Sequence, residues 1–322
     1  MPTSAIIAIT LNCNSRCIMC DIWKNKITGE LSPDQYLKLP ATLTDINITG
    51  GEPFLRKDIV DVVRAMHTAC PKARFTLNTN GFMPHKIAKD MMEIFKITPS
   101  LGFRVSIDGI GAKHDEIRRI PGGYEKILKT LDAVKKIGFT DLGVSFTLGN
   151  YNMDELPKVQ AFCKERGLEF SLTVTTGSSI YFGTDKASYR STDTTKLTPL
   201  LNEAAKEHYR SLNPKEIMRG WFVKRLLEFS LTGKRMLPCT AGQDFFYMDS
   251  RGGVYTCHIK PWKMGNIIRQ SFQEIMNTQV HATKVATCNG CWMVCTAKSA
   301  MKSKVFSVAA QALQEKFQQH YT

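Results

Sequence analysis

Short apolar runs alternate with helical periodicity from residue 5 to about 175, and this rhythm limits the fold more than any other feature of the chain. Strands are expected over Ala5–Leu11, Asp45–Thr49, Arg74–Asn78, Gly102–Ile107, Asp141–Leu148 and Glu169–Val174. Helices are expected between them over Ser32–Leu39, Lys57–Ala69, Pro84–Phe95, Tyr124–Ile137 and Asp154–Arg166. A parallel neighbour needs a crossover of helical length, so these repeats predict a parallel sheet with helices outside it. No strand after residue 175 clearly continues the series, which predicts an α/β fold built on an open, partial (β/α)6 TIM-like barrel and not a closed eight-stranded one.

In such a barrel the C-terminal ends of the strands open on one mouth, where active sites gather. The segments at those ends are rich in chemistry. A cysteine loop, Leu11–Asp21, follows the first strand, and Gly50-Gly51-Glu52-Pro53 follows the second. Asn78-Thr79-Asn80-Gly81 follows the third, Ser106-Ile107-Asp108-Gly109 the fourth, and Thr173 to Tyr181 the sixth.

The rhythm breaks after residue 175. Thr176–Ser179 and Ser188–Thr195 are polar and loop-like, and helices are expected near Leu200–Arg210 and Pro214–Leu231. Residues 239–297 carry a second group of cysteines with short β-like pieces, Phe245–Met248 and Gly253–Tyr255, and Gly252-Gly253 suits a hairpin turn. Val305–Gln319 reads as a docking helix. The expected division is 1–175 for the barrel, 176–238 for a linker with helices, 239–300 for a cysteine-rich domain and 301–322 for the tail helix.

A chain of 322 residues with 43% hydrophobic content can bury one large core or two ordinary ones. No run approaches the ~18 apolar residues of a membrane span. Ala5–Leu11 lacks the basic segment of a signal peptide. The net charge of +14 is spread without a basic block, so it reads as a solvated surface or as attraction for anionic groups, and nucleic acid is not an expected partner. Ten cysteines without an export signal argue against disulfides and for metal thiolates in a reducing, cytoplasmic setting. Cys70 and Cys163 stand apart on expected helices and read as small core hydrophobes.

Cys13, Cys17 and Cys20 have the spacing C-x3-C-x2-C. Three thiolates on one tight loop can hold a [4Fe–4S] cluster and leave its fourth iron without a protein ligand, although the bare pattern also suits zinc. Gly50-Gly51 lets backbone approach a bound group closely, although alone it would pass for an ordinary turn. On consecutive strand–helix units, the cysteine loop and Gly50-Gly51-Glu52-Pro53 resemble the cluster loop and the second landmark of the radical S-adenosylmethionine (radical SAM) superfamily. The resemblance runs through the first half of the chain. It implies that Cys13, Cys17 and Cys20 bind the cluster and that the open iron takes the amino and carboxylate groups of S-adenosylmethionine. Reductive cleavage then gives a 5′-deoxyadenosyl radical that abstracts hydrogen from substrate, with the electron supplied by an external donor such as flavodoxin or ferredoxin.

By the same resemblance Glu52 accepts a hydrogen bond from the cofactor's amino group, and Pro53 stiffens the turn. Met19 stands where the family often has an aromatic residue near the adenine, and a thioether can pack there too. Ser106 and Asp108 resemble a fourth-strand motif of members with an added iron–sulfur domain, and are candidates for ribose or carboxylate contact. Arg118 is a candidate for a bidentate pair with the methionyl carboxylate, or else a surface arginine beside Arg119. Asn78, Asn80 and Thr147 are further cofactor-contact candidates, with turn or cap roles open for the asparagines.

Cys239, Cys257, Cys288, Cys291 and Cys295, with Gly252 five residues before Cys257, resemble the SPASM auxiliary-cluster domain, and more closely its shortened form, twitch. The cysteines are too few for two fully thiolate-ligated clusters. The resemblance thus implies one auxiliary [4Fe–4S] cluster on Cys239, Cys257, Cys288 and Cys291. Cys295 is an alternative ligand, a buried bystander or a hydrogen-atom donor. Two separated thiolate pairs also suit structural zinc. His258 reads as an exposed loop residue, with cluster tuning as the alternative, and Thr173–Tyr181, Lys260 and Trp262 are the substrate-contact candidates.

The expected function is a radical SAM oxidoreductase. It would act on a small polar or anionic substrate, sugar-like or nucleotide-linked, with net oxidation assisted by the auxiliary cluster. The cysteine layout resembles that of twitch enzymes that oxidise amino-sugar alcohols. Peptide-modifying members often carry a leader-peptide module, and the lack of an extra N-terminal segment favours the small substrate. Peptide maturation, and a redox-neutral epimerisation in which Cys295 or Cys163 returns hydrogen, are the alternatives within the enzyme class. A non-redox, zinc-stabilised binding protein is the alternative of another class.

Overall fold

The structure, a computed structural model, describes residues 1–25, 28–184, 189, 193–278 and 280–318. The expected strands are present as β1 (Ser4–Thr10), β2 (Asp45–Gly50), β3 (Arg74–Thr79), β4 (Gly102–Ser106), β5 (Leu142–Leu148) and β6 (Glu169–Val174). Each consecutive pair is parallel. The crossovers carry α1 (Ile59–Ala69), α2 (Pro84–Ile97), α3 (Ala112–Arg118), α4 (Gly123–Ile137) and α5 (Leu156–Arg166). The helix expected over Ser32–Leu39 is a 3-10 segment, Pro33–Lys38.

The strands place the site by simple alternation. Successive side chains point to opposite faces of a strand, and burial alternates along β2, β3 and β6. Ile46, Ile48, Phe75, Leu77, Phe170 and Leu172 face outward and join helix residues such as Val62, Met91 and Leu131 in one core. Burying each such side chain contributes about 1.5–3 kcal/mol. The opposite set, Thr49, Asn78, Ser106, Thr147 and Thr173, is polar and faces the cavity inside the barrel.

The C-terminal segment continues this sheet. β7 (Phe245–Met248) pairs in parallel with β1, from Ser4↔Phe245 to Ile7↔Met248. β8 (Gly253–Tyr255) and β9 (Lys263–Asn266) follow in antiparallel fashion. The strand order is β6-β5-β4-β3-β2-β1-β7-β8-β9. The parallel series thus does gain a later strand, on the far edge of β1. A bare edge there would leave a row of unpaired backbone groups, and the wholly buried Phe245–Met248 covers it.

The two connecting helices are α6 (Thr194–Tyr209) and α7 (Pro214–Thr232). Of the polar stretch Ser188–Thr195, residues 188 and 190–192 lie outside the described residues, and Thr194 already begins α6. Three short helices were not expected: α8 (Phe272–Asn277), α9 (Ala282–Ala286) and α10 (Val294–Ser303). The tail helix, α11 (Val305–Gln318), docks on α6 and α7 through Glu315, which accepts from Tyr209 at 2.8 Å and Arg225 at 2.6 Å. Residue 319, the expected end of that helix, lies outside the described residues. Among the described residues no helix is long and apolar enough to cross a membrane.

Candidate active site

The chain leaves β1 and turns at once into the cysteine loop, which the end of β2 holds in place. Gly51 N–H donates to Thr10 O at 2.9 Å and Glu52 N–H to Asn12 O at 2.8 Å. A Cβ at Gly51 would lie 2.2 Å from Asn12 O, so the two loops touch only because this residue has no side chain. From the other side α3 braces the loop: Ile18 N–H donates to Ile117 O and Ser15 Oγ to Arg118 O, both at 3.0 Å. The thiols sit among donors. Ser15 N–H points at Cys13 Sγ (3.4 Å), Ser15 Oγ is 3.0 Å from Cys17 Sγ, and the Arg118 guanidinium is 3.6 Å from Cys17 Sγ. Burial pushes Cys13 and Cys20 up to about 12, and each is also repelled by Cys17, as three thiols in one spot must be.

The loop floors a cavity at the barrel mouth. Of the residues singled out from sequence, Cys13, Cys17, Cys20, Met19, Gly50, Gly51, Asn78, Asn80, Ser106, Arg118, Thr147, Thr173–Thr176 and Tyr181 line it. Glu52, Pro53 and Asp108 do not. Pro53 is buried at the start of a 3-10 turn. Glu52 is fully buried and turned away, with its carboxylate accepting from Thr79 Oγ1 (2.8 Å), Asn80 N–H (2.7 Å) and Phe54 N–H (3.1 Å). Burial pushes this carboxyl up to about 7, against the pull of those bonds and of Arg118. The side chain holds the β3 turn, while the Glu52 backbone N–H ties the same residue to the cysteine loop. Glu52→Gln is expected to set an amide N–H₂ against one of these donors and to cost about 1–3 kcal/mol in urea unfolding.

Asp108 is also fully buried, accepting from Arg118 Nε at 2.6 Å, Arg118 Nη2 at 2.5 Å and Thr147 N–H at 2.8 Å. Arg118 is therefore not a surface arginine: its Nε and Nη2 both pair with Asp108, and its Nη1 faces Cys17 Sγ. Asn80 acts as a turn residue, whereas Asn78 lies within β3 and bridges to β2. Asn80 Oδ1 accepts from Phe82 N–H and its Nδ2 donates to Asn14 Oδ1, while Asn78 Nδ2 donates to Ile48 O.

The second group of cysteines also shares one neighbourhood. Cys239 feels the charges of Cys291 and Cys288, Cys257 those of Cys239 and Cys288, and Cys295 those of Cys291 and Cys257. Donors again surround the sulfurs: Lys260 N–H is 3.4 Å from Cys257 Sγ, Gly290 N–H 3.4 Å from Cys288 Sγ, and Thr296 Oγ1 3.6 Å from Cys291 Sγ. Burial drives the Cys295 thiol upward, and Cys295 does not line the cavity. Met293, between Cys291 and Cys295, does.

An aromatic wall joins the two thiol groups. Tyr181 Oη donates to Gly50 O at 3.0 Å and lies 2.6 Å from Thr49 Oγ1, while its ring meets His258 edge-on at 5.7 Å. His258 is 4% exposed, boxed by Tyr181, Phe182 and Tyr247, so the expectation of an exposed loop histidine is corrected. Lys260 and Trp262 do not line the cavity; Trp262 stacks on His281 instead. Cys70 and Cys163 are buried in the core. Ser15, Trp23, Phe182 and Met293 line the cavity and were not singled out from sequence. Their positions come from long-range packing, which no local motif announces.

Comparison with known proteins agrees with this geometry. The family model of the radical SAM superfamily matches residues 7–163, and that of SPASM, an iron–sulfur cluster-binding domain, matches residues 239–295. The AdoMet-dependent heme synthase of Methanosarcina barkeri is 27% identical, over 83% of this chain and 80% of its own length. The sporulation killing factor maturation protein SkfB of Bacillus subtilis is 24% identical, over 85% of this chain and 65% of its own. The chain spans about half the length of the GTP 3′,8-cyclases it also matches. The solved structure of anSMEcpe with bound AdoMet shares the fold, with a TM-score of 0.66 and 17% identity, over 97% of this chain and 100% of that one.

These families imply S-adenosylmethionine with a [4Fe–4S] cluster, and an auxiliary iron–sulfur centre in the SPASM domain. The residues present fit such groups. The thiols of each group lie near one another, with N–H donors beside Cys13, Cys257 and Cys288 sulfurs of the kind that polarise a cluster. Thr173 Oγ1, on the cavity wall, is buried without a partner and is free to meet a polar ligand. An iron–sulfur domain over residues 239–295 also displaces the zinc alternative for the second group. The chain belongs to the radical SAM superfamily, among its members that carry a SPASM domain.

Proposed function

We propose that this radical SAM enzyme oxidises its substrate by hydrogen abstraction at the barrel mouth, with the auxiliary centre taking the second electron. In this reading Cys13, Cys17 and Cys20 hold the first cluster, and four of Cys239, Cys257, Cys288, Cys291 and Cys295 hold one auxiliary cluster. When bound, the cofactors supply abstraction of a hydrogen atom and acceptance of the electron left on the substrate, whose proton goes to solvent. The chain's own part is placement. Ser106, Thr147 and Thr173 offer hydroxyls to a ribose, Met19 packs near the adenine, and Trp23, Phe182 and Met293 keep water from the reacting carbon. The single observation that carries the reading is Met293. Met293, between two auxiliary cysteines, forms part of the same cavity wall as Cys13, Cys17 and Cys20, so a substrate held there abuts the auxiliary domain.

The substrate reading is a small, neutral, hydroxyl-bearing molecule. The only charged side chain on the described cavity wall is Arg118, and Asp108 neutralises it. A second reading, a peptide, is supported by the likeness to SkfB, a maturation protein by name. The electron donor is a separate low-potential carrier of the flavodoxin or ferredoxin kind. The test is anaerobic turnover with dithionite, a panel of uncharged sugar alcohols and a panel of peptides. One panel is expected to raise 5′-deoxyadenosine well above the uncoupled level, with product two electrons more oxidised. Product unchanged in oxidation state and carrying solvent deuterium would overturn the oxidase reading in favour of epimerisation.

A further inference from the structure

Among the described residues two arginines lie against cysteine sulfurs, and their charges are handled in opposite ways. Arg118, beside Cys17, is locked onto the buried carboxylate of Asp108 at 2.5 Å, so the pair adds no net charge to the first site. Arg235, beside Cys291, has no carboxylate partner among the described residues. Its Nη1 donates to Cys291 O at 2.5 Å and lies 3.1 Å from Thr296 Oγ1 and 3.9 Å from Cys291 Sγ. Its Nε donates to Leu237 O at 3.1 Å, and the guanidinium rests 5.2 Å over the ring of Trp292. Every acceptor is neutral, so the positive charge stays whole and is held rigidly. Its field reaches both Cys239 and Cys291 and pulls against the burial that raises their thiols.

Lys260 is a second such cation. Its backbone N–H is 3.4 Å from Cys257 Sγ. Its Nζ and Cys288 Sγ lie 3.6 Å and 3.4 Å from the point where a side chain on Gly290 would begin, so the ammonium is within about 7 Å of that sulfur. It too has no carboxylate partner among the described residues.

We propose that Arg235 and Lys260 set the redox potential of the auxiliary cluster, holding it above that of the first cluster so that electrons run toward it. Gaining an electron makes a cluster more negative, and an uncancelled cation at its sulfurs stabilises that state and raises the potential. At the first site Asp108 cancels the equivalent arginine, which keeps that cluster the stronger reductant. Both residues act through the cysteines and touch no substrate, so they are positioning residues. The purpose of the device rests on the oxidase reading above; its test does not.

The experiment is an anaerobic redox titration of the iron-loaded protein followed by electron paramagnetic resonance, on wild type, Arg235→Gln, Arg235→Lys and Lys260→Gln. The expected result is an auxiliary midpoint shifted to more negative potential in Arg235→Gln and Lys260→Gln, and nearer wild type in Arg235→Lys. The first cluster's midpoint should stay in place in all of them. An auxiliary midpoint that does not move at full iron content, or an equal movement of both clusters, overturns the proposal. If Arg235→Gln loses its auxiliary iron, Lys260→Gln decides by the same criterion. A purely structural role would change iron content and leave the potential of the assembled cluster alone. Should turnover prove redox-neutral while the midpoints shift as stated, the oxidase reading falls and this one stands.

Discussion

Cys17→Ala is expected to abolish cleavage of S-adenosylmethionine, with 5′-deoxyadenosine at the no-enzyme background and roughly four irons per chain lost. The auxiliary iron should remain. Cys17 is the best-anchored thiol of the trio: it is 8% exposed, with Ser15 Oγ at 3.0 Å and the Arg118 guanidinium at 3.6 Å from its sulfur. Two remaining thiols cannot fix a cube that needs three corners, and alanine offers no replacement donor. The contrast lies with Cys70 and Cys163, equally buried but set in the apolar core. Cys70→Ala and Cys163→Ala should keep all iron and full cleavage, and lose only about 1 kcal/mol of packing. Anaerobic iron and sulfide analysis beside product quantification separates the two outcomes. If Cys17→Ala cleaves the cofactor at the wild-type rate, the cysteine loop is not the cluster site.

The barrel was legible because its pattern is local. Glu169–Val174 alternates polar and apolar residues, and that alone specifies a half-buried strand; the structure has the same span. What was not legible depends on contacts between distant segments. The short α3 is seven residues long, too few to display a period, and is fixed by the buried His114, whose Nδ1 accepts from Asp108 N–H. β7 is buried on both faces, so Phe245–Met248 carries no alternation, and nothing local says that its partner is β1. The same limit applied within the site. The Gly-Gly-Glu run marked a place in the fold but not the direction of the Glu52 carboxylate, which Thr79 and Asn80 of a distant turn decide together with the neighbouring Phe54 N–H. His258 reads as a polar loop residue until Tyr181, Phe182 and Tyr247 are brought around it. Residue type and spacing thus announced the chemistry, while the choice between contact and support belonged to tertiary packing.

Arg118→Met is expected to be the most destabilising single change at the site, at about 3–5 kcal/mol, the usual cost of removing one partner of a buried ion pair. Asp108 is fully buried, and both Arg118 bonds fall on one of its oxygens, so methionine would leave that oxygen facing an apolar chain. Arg118→Lys keeps the charge but cannot supply two donors in the same fork, so it should cost less than the methionine variant and more than a surface change. The double variant Arg118→Met/Asp108→Leu removes both charges together. It should recover much of the loss, because a stranded buried carboxylate is worse than an apolar pair of similar volume. The cycle of four proteins in urea unfolding gives the coupling directly. A second readout ties stability to function: Arg118 O accepts from Ser15 Oγ, and Ile117 O from Ile18 N–H, so α3 and the cysteine loop move together. The double variant should therefore fold and yet hold the first cluster poorly, since the donor beside Cys17 Sγ is gone. Additive effects of the two single changes on stability would mean that the pair is not coupled, and that α3 is held by His114 and Ile117 alone.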